Sequence, residues 1–227
     1  MAESKTFSWG GLINRSSGKL DMVERINEVV FGLIMVLTFT CTMSAATGGR
    51  EEVRTVLWAA LGCNVAWGII DAFIYIFSVL MYRGEALDTL RHIRKAKSDE
   101  EANEAIKDVM PTLVGNLMKS EHVDQLRAEI NKLPEPPSTA IFTWNDFLGA
   151  VKIFLLVFIS TFPVTIPFIF IQDVYLALRI SNGIALVLLF ITGYYFGKQT
   201  RYKSFVTGLA VMSIGVLLVA MTIALGG

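Results

Sequence analysis

Apolar and polar positions fall into long blocks along this chain. Val29–Gly49, Ile153–Ile171, Ile180–Gly197 and Ser204–Gly227 carry no charged residue, and Val56–Met81 carries only Asp71. A helix needs about 20 apolar residues to cross the hydrocarbon core of a bilayer. The pattern therefore predicts an all-α polytopic membrane protein with five transmembrane helices and the lipid bilayer as its surroundings. Between the second and third runs the material changes. Arg83–Pro137 holds eleven Asp/Glu and nine Lys/Arg. Its apolar residues recur at helical spacing, which predicts a small helical domain between helices 2 and 3. The division that follows is 1–27 for a polar N-terminal segment, 28–82 for helices 1 and 2, 83–137 for the helical insert and 138–227 for helices 3 to 5.

Three helices are expected in the insert. Gly84–Lys97 continues the second apolar run. Ser98 then reads as an N-cap with Glu101 at the third helical position, a capping box. The helix after it carries the stripe Ile106, Val109, Met110, Leu113, Val114 and Leu117, which Pro111 should kink or split. A third helix runs roughly from Glu121 to Leu133. Pro134, Pro136 and Pro137 form a stiff, non-helical lead into helix 3.

Composition adds two constraints. Mean hydropathy is +0.54, 18% of residues are charged and the formal net charge is zero. That balance excludes a strongly basic nucleic-acid binder. The basic residues also orient the helices. Lys5, Arg15, Lys19 and Arg25 precede helix 1, nine Lys/Arg lie in the insert, and Lys198, Arg201 and Lys203 lie between helices 4 and 5, whereas the opposite side holds only Arg50 and Arg54, the remaining Lys152 and Arg179 being near helix ends. The positive-inside rule then places the N-terminus and the insert in the cytoplasm and the C-terminus outside. Met1–Asn27 has no apolar core after a short basic start, so no cleavable signal peptide is expected. Phe7, Trp9, Leu12 and Ile13 are open to two readings, contact with the membrane surface or a disordered tail. Cys41 and Cys63, both inside apolar runs, are expected to be packing residues and not a disulfide.

Asp71 is the most informative residue. A carboxylate at mid-depth costs about 2.5–3.5 kcal/mol on insertion scales, so it should face a polar path or a partner. One reading is an ion or proton site. The other is a structural pair with a polar group on another helix, for which Arg179 is a candidate. Asn64, Tyr75 and the Thr38–Ser44 cluster either line a path or bond between helices. Met35, at a depth comparable to that of Asp71, reads on its own as packing. Pro163 and Pro167 release carbonyls that other groups must satisfy. Gly193 and Gly197 form a GxxxG for close helix packing. In the insert, Glu85 and Asp88 are three residues apart, as are Glu101 and Glu104, with Asp108 a turn further on. Such spacing puts each pair on one helix face. Two pairs on facing helices would hold a divalent cation, and Met110, Met118, His92 and His122 as softer donors would favour iron or manganese over calcium. The alternative is a solvated helical face with Glu101 serving only as a cap. No nucleophile–base pair, nucleotide loop or Cys/His zinc spacing occurs, so no enzymatic activity and no tightly bound cofactor are expected.

From about Glu24 onward the arrangement resembles the vacuolar iron transporter family. Asn64-Val-Ala-Trp-Gly68, with Ala72 and Ser78, is similar to that family's second span. Ser160-Thr-Phe-Pro163-Val-Thr-Ile-Pro167-Phe168 is similar to its third, and Phe190 through Leu225, broken at Lys198–Lys203, to its last two. The resemblance implies a homodimer that moves Fe²⁺, Mn²⁺ or a similar divalent metal out of the cytosol, in exchange for protons. In the family an Asp in span one and a Met in span two line the path. Here Met35 stands at the first position and Asp71 at the second, which implies a soft ligand and a carboxylate ligand that also accepts a proton. Tyr75 stands where the family has an acidic residue. The insert is shorter than the family's metal-binding domain, and its acidic pairs are spaced further apart. A second expectation belongs to a different class: a non-transporting membrane scaffold whose insert binds a protein partner.

Overall fold

The computed structural model describes Trp9 and residues 21–43 and 50–224. Its helices are α1 (Asp21–Met43), α2 (Arg50–Lys95), α3 (Asp99–Asp108), α4 (Thr112–Leu117), α5 (Ser120–Lys132), α6 (Trp144–Phe170), α7 (Val174–Gln199) and α8 (Ser204–Ala224). No strand occurs among the described residues. Four helical stretches are long and apolar enough to cross a membrane: Leu57–Lys95, Trp144–Phe170, Val174–Gln199 and Ser204–Met221. The remaining expected span, Val29–Gly49, begins in α1 and continues through residues 44–49, outside the described residues. Phe7, Leu12, Ile13 and the side chain of Cys41 also lie outside them. Large apolar side chains such as Phe73, Phe170 and Leu217 face outward. Water would not tolerate so extensive an apolar surface, and a bilayer covers it.

The chain divides into two compact units, one containing Phe77–Trp144 and the other the helical segments up to Ile76 and from Asn145 onward. The second unit has its core where Leu33, Val36 and Leu37 of α1 meet Val164 of α6 and Ala185 and Leu189 of α7. The GxxxG sits against α8. A Cβ on Gly193 would lie 2.9 Å from the Thr207 carbonyl oxygen, and one on Gly197 would lie 2.7 Å from the Ser204 Cα. Only hydrogen fits at either place. The helix α6 runs through Pro163 and Pro167 without a break. Hydroxyls bond to the backbone around the prolines: Thr165 donates to the Phe162 carbonyl at 2.8 Å, and Ser181 reaches across from α7 to the Val164 carbonyl at 2.7 Å.

In the first unit α2 continues past its apolar run to Lys95 as one helix. Ser98 caps α3, its Oγ accepting the Glu101 N–H at 3.2 Å. The Glu101 carboxylate in turn accepts the Lys97 N–H at 2.9 Å, one residue before the cap. Pro111 splits the expected amphipathic helix into α3 and α4 and divides its stripe. Ile106 joins Ile93, Ala102 and Val123 in a small core, with Met110 and Met118 packed against it. Val109, Leu113, Val114 and Leu117 are left exposed. The helix α5 lies beside α3, joined by Asn103 to Asp124 at 2.9 Å and by an Arg127–Asp99 ion pair. Leu133–Thr143 is then non-helical. Its prolines lack N–H groups, and its carbonyls need donors from elsewhere. Arginines of α2 supply them. Arg94 donates to the carbonyls of Ile130 and Leu133, Arg91 to that of Pro137 and Arg83 to that of Ile141.

Candidate functional site

Asn64, Gly68, Asp71 and Tyr75 follow one another at spacings of four, three and four, so they form one face of α2. Two glycines let neighbours close over that face. The Phe154 ring of α6 lies 2.8 Å from where a Cβ on Gly68 would stand. The Tyr75 ring likewise occupies the space a Cβ on Gly149 would need. Asp71 is consequently buried. Its carboxyl is hydrogen-bonded to the carboxyl of Glu28 on α1. Two carboxyl groups placed this way form an arrangement in which one, when protonated, donates to the other.

Glu28 did not stand out in the sequence, because it lies just before the first charge-free run. The interhelix register brings this edge position to the middle of the second run. The same register places the Met35 Sδ 3.7 Å from the Cys63 Sγ. Ascending α1 from Glu28 to Met35 therefore means descending α2 from Asp71 to Cys63. Met35 sits eight residues down α2 from Asp71, about 12 Å along the axis. This corrects the expectation of a common depth for the two residues. Arg179, the cationic partner considered for Asp71, is exposed on α7; the polar group found on another helix is acidic.

Asn64 is fully buried, and neither its amide nitrogen nor its amide oxygen has a hydrogen-bond partner among the described residues. An unmatched buried amide costs about 1–3 kcal/mol, and such a group is open to an ion or a water. Asp146 is a second acidic residue whose burial is not evident from the sequence. It is 5% exposed and lies one turn before Gly149. Its place in the first turn of α6 reads as an ordinary helix start.

The insert gathers most of its candidate ligands. Asp88, Thr89 and His92 of α2 line an open pocket of about 440 Å³ together with Glu101, Glu104, Ala105, Asp108 and Val109. The His92 Nε2 is 3.9 Å from Glu101 Oε1. Glu85 is exposed and does not line this pocket. No three His, Cys, Asp or Glu side chains among the described residues converge closely enough to hold a metal ion. The softer donors are placed elsewhere. Met110 and Met118 pack on the core of the insert, because the break at Pro111 turns them inward. His122 lies on α5, outside the pocket. Cys63 is a free thiol.

Neither protein-family models nor curated proteins give a match to this sequence.

Proposed function

We propose that the chain is a membrane transporter of a divalent metal of the Fe²⁺ or Mn²⁺ type, which it exchanges for protons and moves out of the cytosol. The observation that carries this reading is the Glu28–Asp71 carboxyl pair on a face that also bears the unpartnered Asn64 amide and Tyr75. With one proton the pair is singly charged. A divalent cation binding both carboxylates displaces that proton, which couples the two ions. Met35 and Cys63, about two turns away along α2, supply sulfur donors that favour transition metals over Mg²⁺ and Ca²⁺. The acidic pocket of the insert, with Asp88, Glu101, Glu104 and Asp108, raises the local cation concentration on the cytoplasmic side. The topology proposed with it has five spans, the N-terminus inside and the C-terminus outside. A homodimer is the assembly implied by the family resemblance.

Proteoliposomes loaded with a pH-sensitive dye test the reading. Addition of Fe²⁺, Mn²⁺, Co²⁺ or Zn²⁺ should drive metal flux with an opposed proton flux, and Asp71→Asn should abolish both. A chain that inserts normally and moves no metal under any gradient would leave the scaffold reading in its place.

A further inference from the structure

The apolar surface of the insert is not explained by ion transport. Val109, Leu113, Val114 and Leu117 are exposed around α4, with Leu113 at 73% and Leu117 at 75%. The stretch Val109–Met118 is free of charge in an insert otherwise dense with it; Lys107 and Asp108 precede it and Lys119 follows it. An exposed, continuous apolar patch of this kind needs a covering partner.

Its height along the unit identifies that partner. The helix α2 leaves its apolar run at Met81 and ends at Lys95. The chain turns at 96–98, and α3 doubles back for 10 residues, about 15 Å, with His92 3.9 Å from Glu101. That return brings Val109 level with about Glu85 to Asp88, and these residues line one pocket with Val109 in the case of Asp88. The patch then lies four to seven residues beyond Met81, about 6–10 Å along the helix axis. The headgroup layer occupies about 5–8 Å on each side of the hydrocarbon core. The same end of the unit exposes Met81, Tyr82, Ile141, Phe142 and Trp144, a set of the kind that marks a membrane–water boundary. Pro111 is the device that makes the patch, since it turns Leu113 and Leu117 away from the core that takes Ile106 and Met110.

We propose that α4 with Val109 is a membrane-surface anchor, whose apolar side chains insert at the level of the lipid headgroups and hold the insert against the bilayer. Lys119 then meets lipid phosphates at its far end, and Lys107, one residue before Asp108, offsets that carboxylate at the near end. The proposal is independent of metal transport and requires only that the chain lies in a bilayer.

The test uses the full chain in vesicles of phosphatidylcholine and phosphatidylglycerol. Single cysteines, Leu113→Cys, Leu117→Cys and the reference Lys132→Cys, are placed in a chain carrying Cys41→Ala and Cys63→Ala, and each is labelled with a polarity-sensitive fluorophore. Lipids bearing a nitroxide near the top of the acyl chain should quench the labels at 113 and 117 several-fold more than the label at 132. Aqueous iodide should quench in the reverse order. Equal access of all three labels to iodide overturns the anchor. So does absence of lipid quenching with efficient disulfide cross-linking of Leu113→Cys between two copies, which would make the patch an interface of the chain with itself. A second measurement leaves the native cysteines in place. Replacing both residues together, Leu113→Asp with Leu117→Asp, should speed amide exchange across Val109–Met118 in vesicles without changing exchange at Ile93, Ile106 and Val123. Unchanged exchange at Val109–Met118 also overturns the anchor.

Discussion

Glu28→Gln is the sharpest test of the proposed exchange, because the sequence pattern alone gives no reason to choose Glu28. The proposed exchange has the hydrogen-bonded carboxyls of Glu28 and Asp71 share one proton and carry one negative charge. A divalent cation on both carboxylates should release about one proton per metal ion. With Gln at 28 the amide donates to Asp71 and no shared proton remains. Proton release per metal should then fall from about one to near zero. Affinity should fall as well. Two unit charges about 4 Å apart interact by about 4 kcal/mol at an effective dielectric of 20, and a divalent ion doubles that. Part of this is returned, because the metal no longer has to displace a proton. A residual loss of about 1.4–2.8 kcal/mol corresponds to a ten- to hundredfold weaker metal affinity. The assay is titration calorimetry of the detergent-solubilised protein in two buffers of different ionisation enthalpy, which counts protons, with proteoliposome flux alongside. In the wild-type chain, apparent affinity should rise with pH by about tenfold per unit over the range in which the pair holds its proton, since protons compete with the metal. The Glu28→Gln chain should lose that dependence. Unchanged proton release and affinity in Glu28→Gln would refute the shared site, even if Asp71→Asn proved inactive.

Four further outcomes are expected. Ile106→Ala removes the largest fully buried side chain of the insert core and should cost about 2–5 kcal/mol, read as lost amide protection across α3 and α5; a loss under about 1 kcal/mol would mean that this core contributes little. Gly193→Leu should force α7 from α8 and lower stability by about 1–3 kcal/mol, measured as Tm in detergent, since even a Cβ meets the Thr207 carbonyl at 2.9 Å; an unchanged Tm contradicts that close approach. Met35→Leu should shift preference among transition metals while leaving proton release per metal intact, because Met35 contacts Cys63 and not the carboxyl pair; loss of proton coupling would place it in the same site as Asp71. Reporter fusions following Gly227 and between Ser98 and Asp99 should report opposite sides of the membrane, and the same side for both would remove the five-span topology.

Features set by contiguous residues were legible in the sequence. The apolar runs became helices because a bilayer leaves backbone groups no partner but their own helix. Ser98 with Glu101, the break at Pro111 and the non-helical segment after Leu133 are all local events, each decided within about four residues by a side-chain cap or a missing N–H. The close approach at Gly193 and Gly197 was legible for a related reason, since small residues four apart clear a strip of helix surface whatever packs on it. The acidic pocket was partly legible. Helical spacing put Asp88 with Glu85 and Glu101 with Glu104, but only the turn at 96–98 decides that Asp88 faces Glu101 and Glu104 while Glu85 does not. Met110 and Met118 illustrate the cost of reading a stripe as one face. Once Pro111 divides the helix, residues three apart no longer share a side, so potential donors became core and an expected core stripe became surface.

The carboxyl pair was illegible for a different physical reason. Within a helix the sequence fixes which residues share a face, but it does not fix how far one helix slides along its neighbour. Sliding by one turn moves every cross-helix partner by about 5.4 Å while leaving both hydrophobicity profiles unchanged. Depth judged from each run separately paired Met35 with Asp71, because both lie well inside apolar stretches. The register is instead set by packing: Gly32 takes the Thr161 methyl 3.0 Å from where its Cβ would be, and Gly68 admits the Phe154 ring. These contacts lower α1 against α2 until Glu28, at the edge of its own run, meets Asp71 in the interior of the other. The displacement matters chemically. A Met–Asp pair at one depth would form a single mixed-donor site, whereas the observed register separates a sulfur pair from an oxygen pair by about 12 Å along α2. A cation bound by both carboxylates is thus out of reach of the sulfurs, and one held by Met35 and Cys63 leaves the shared proton in place. Under the proposed exchange, metal preference and proton coupling are then separable, each open to change without the other.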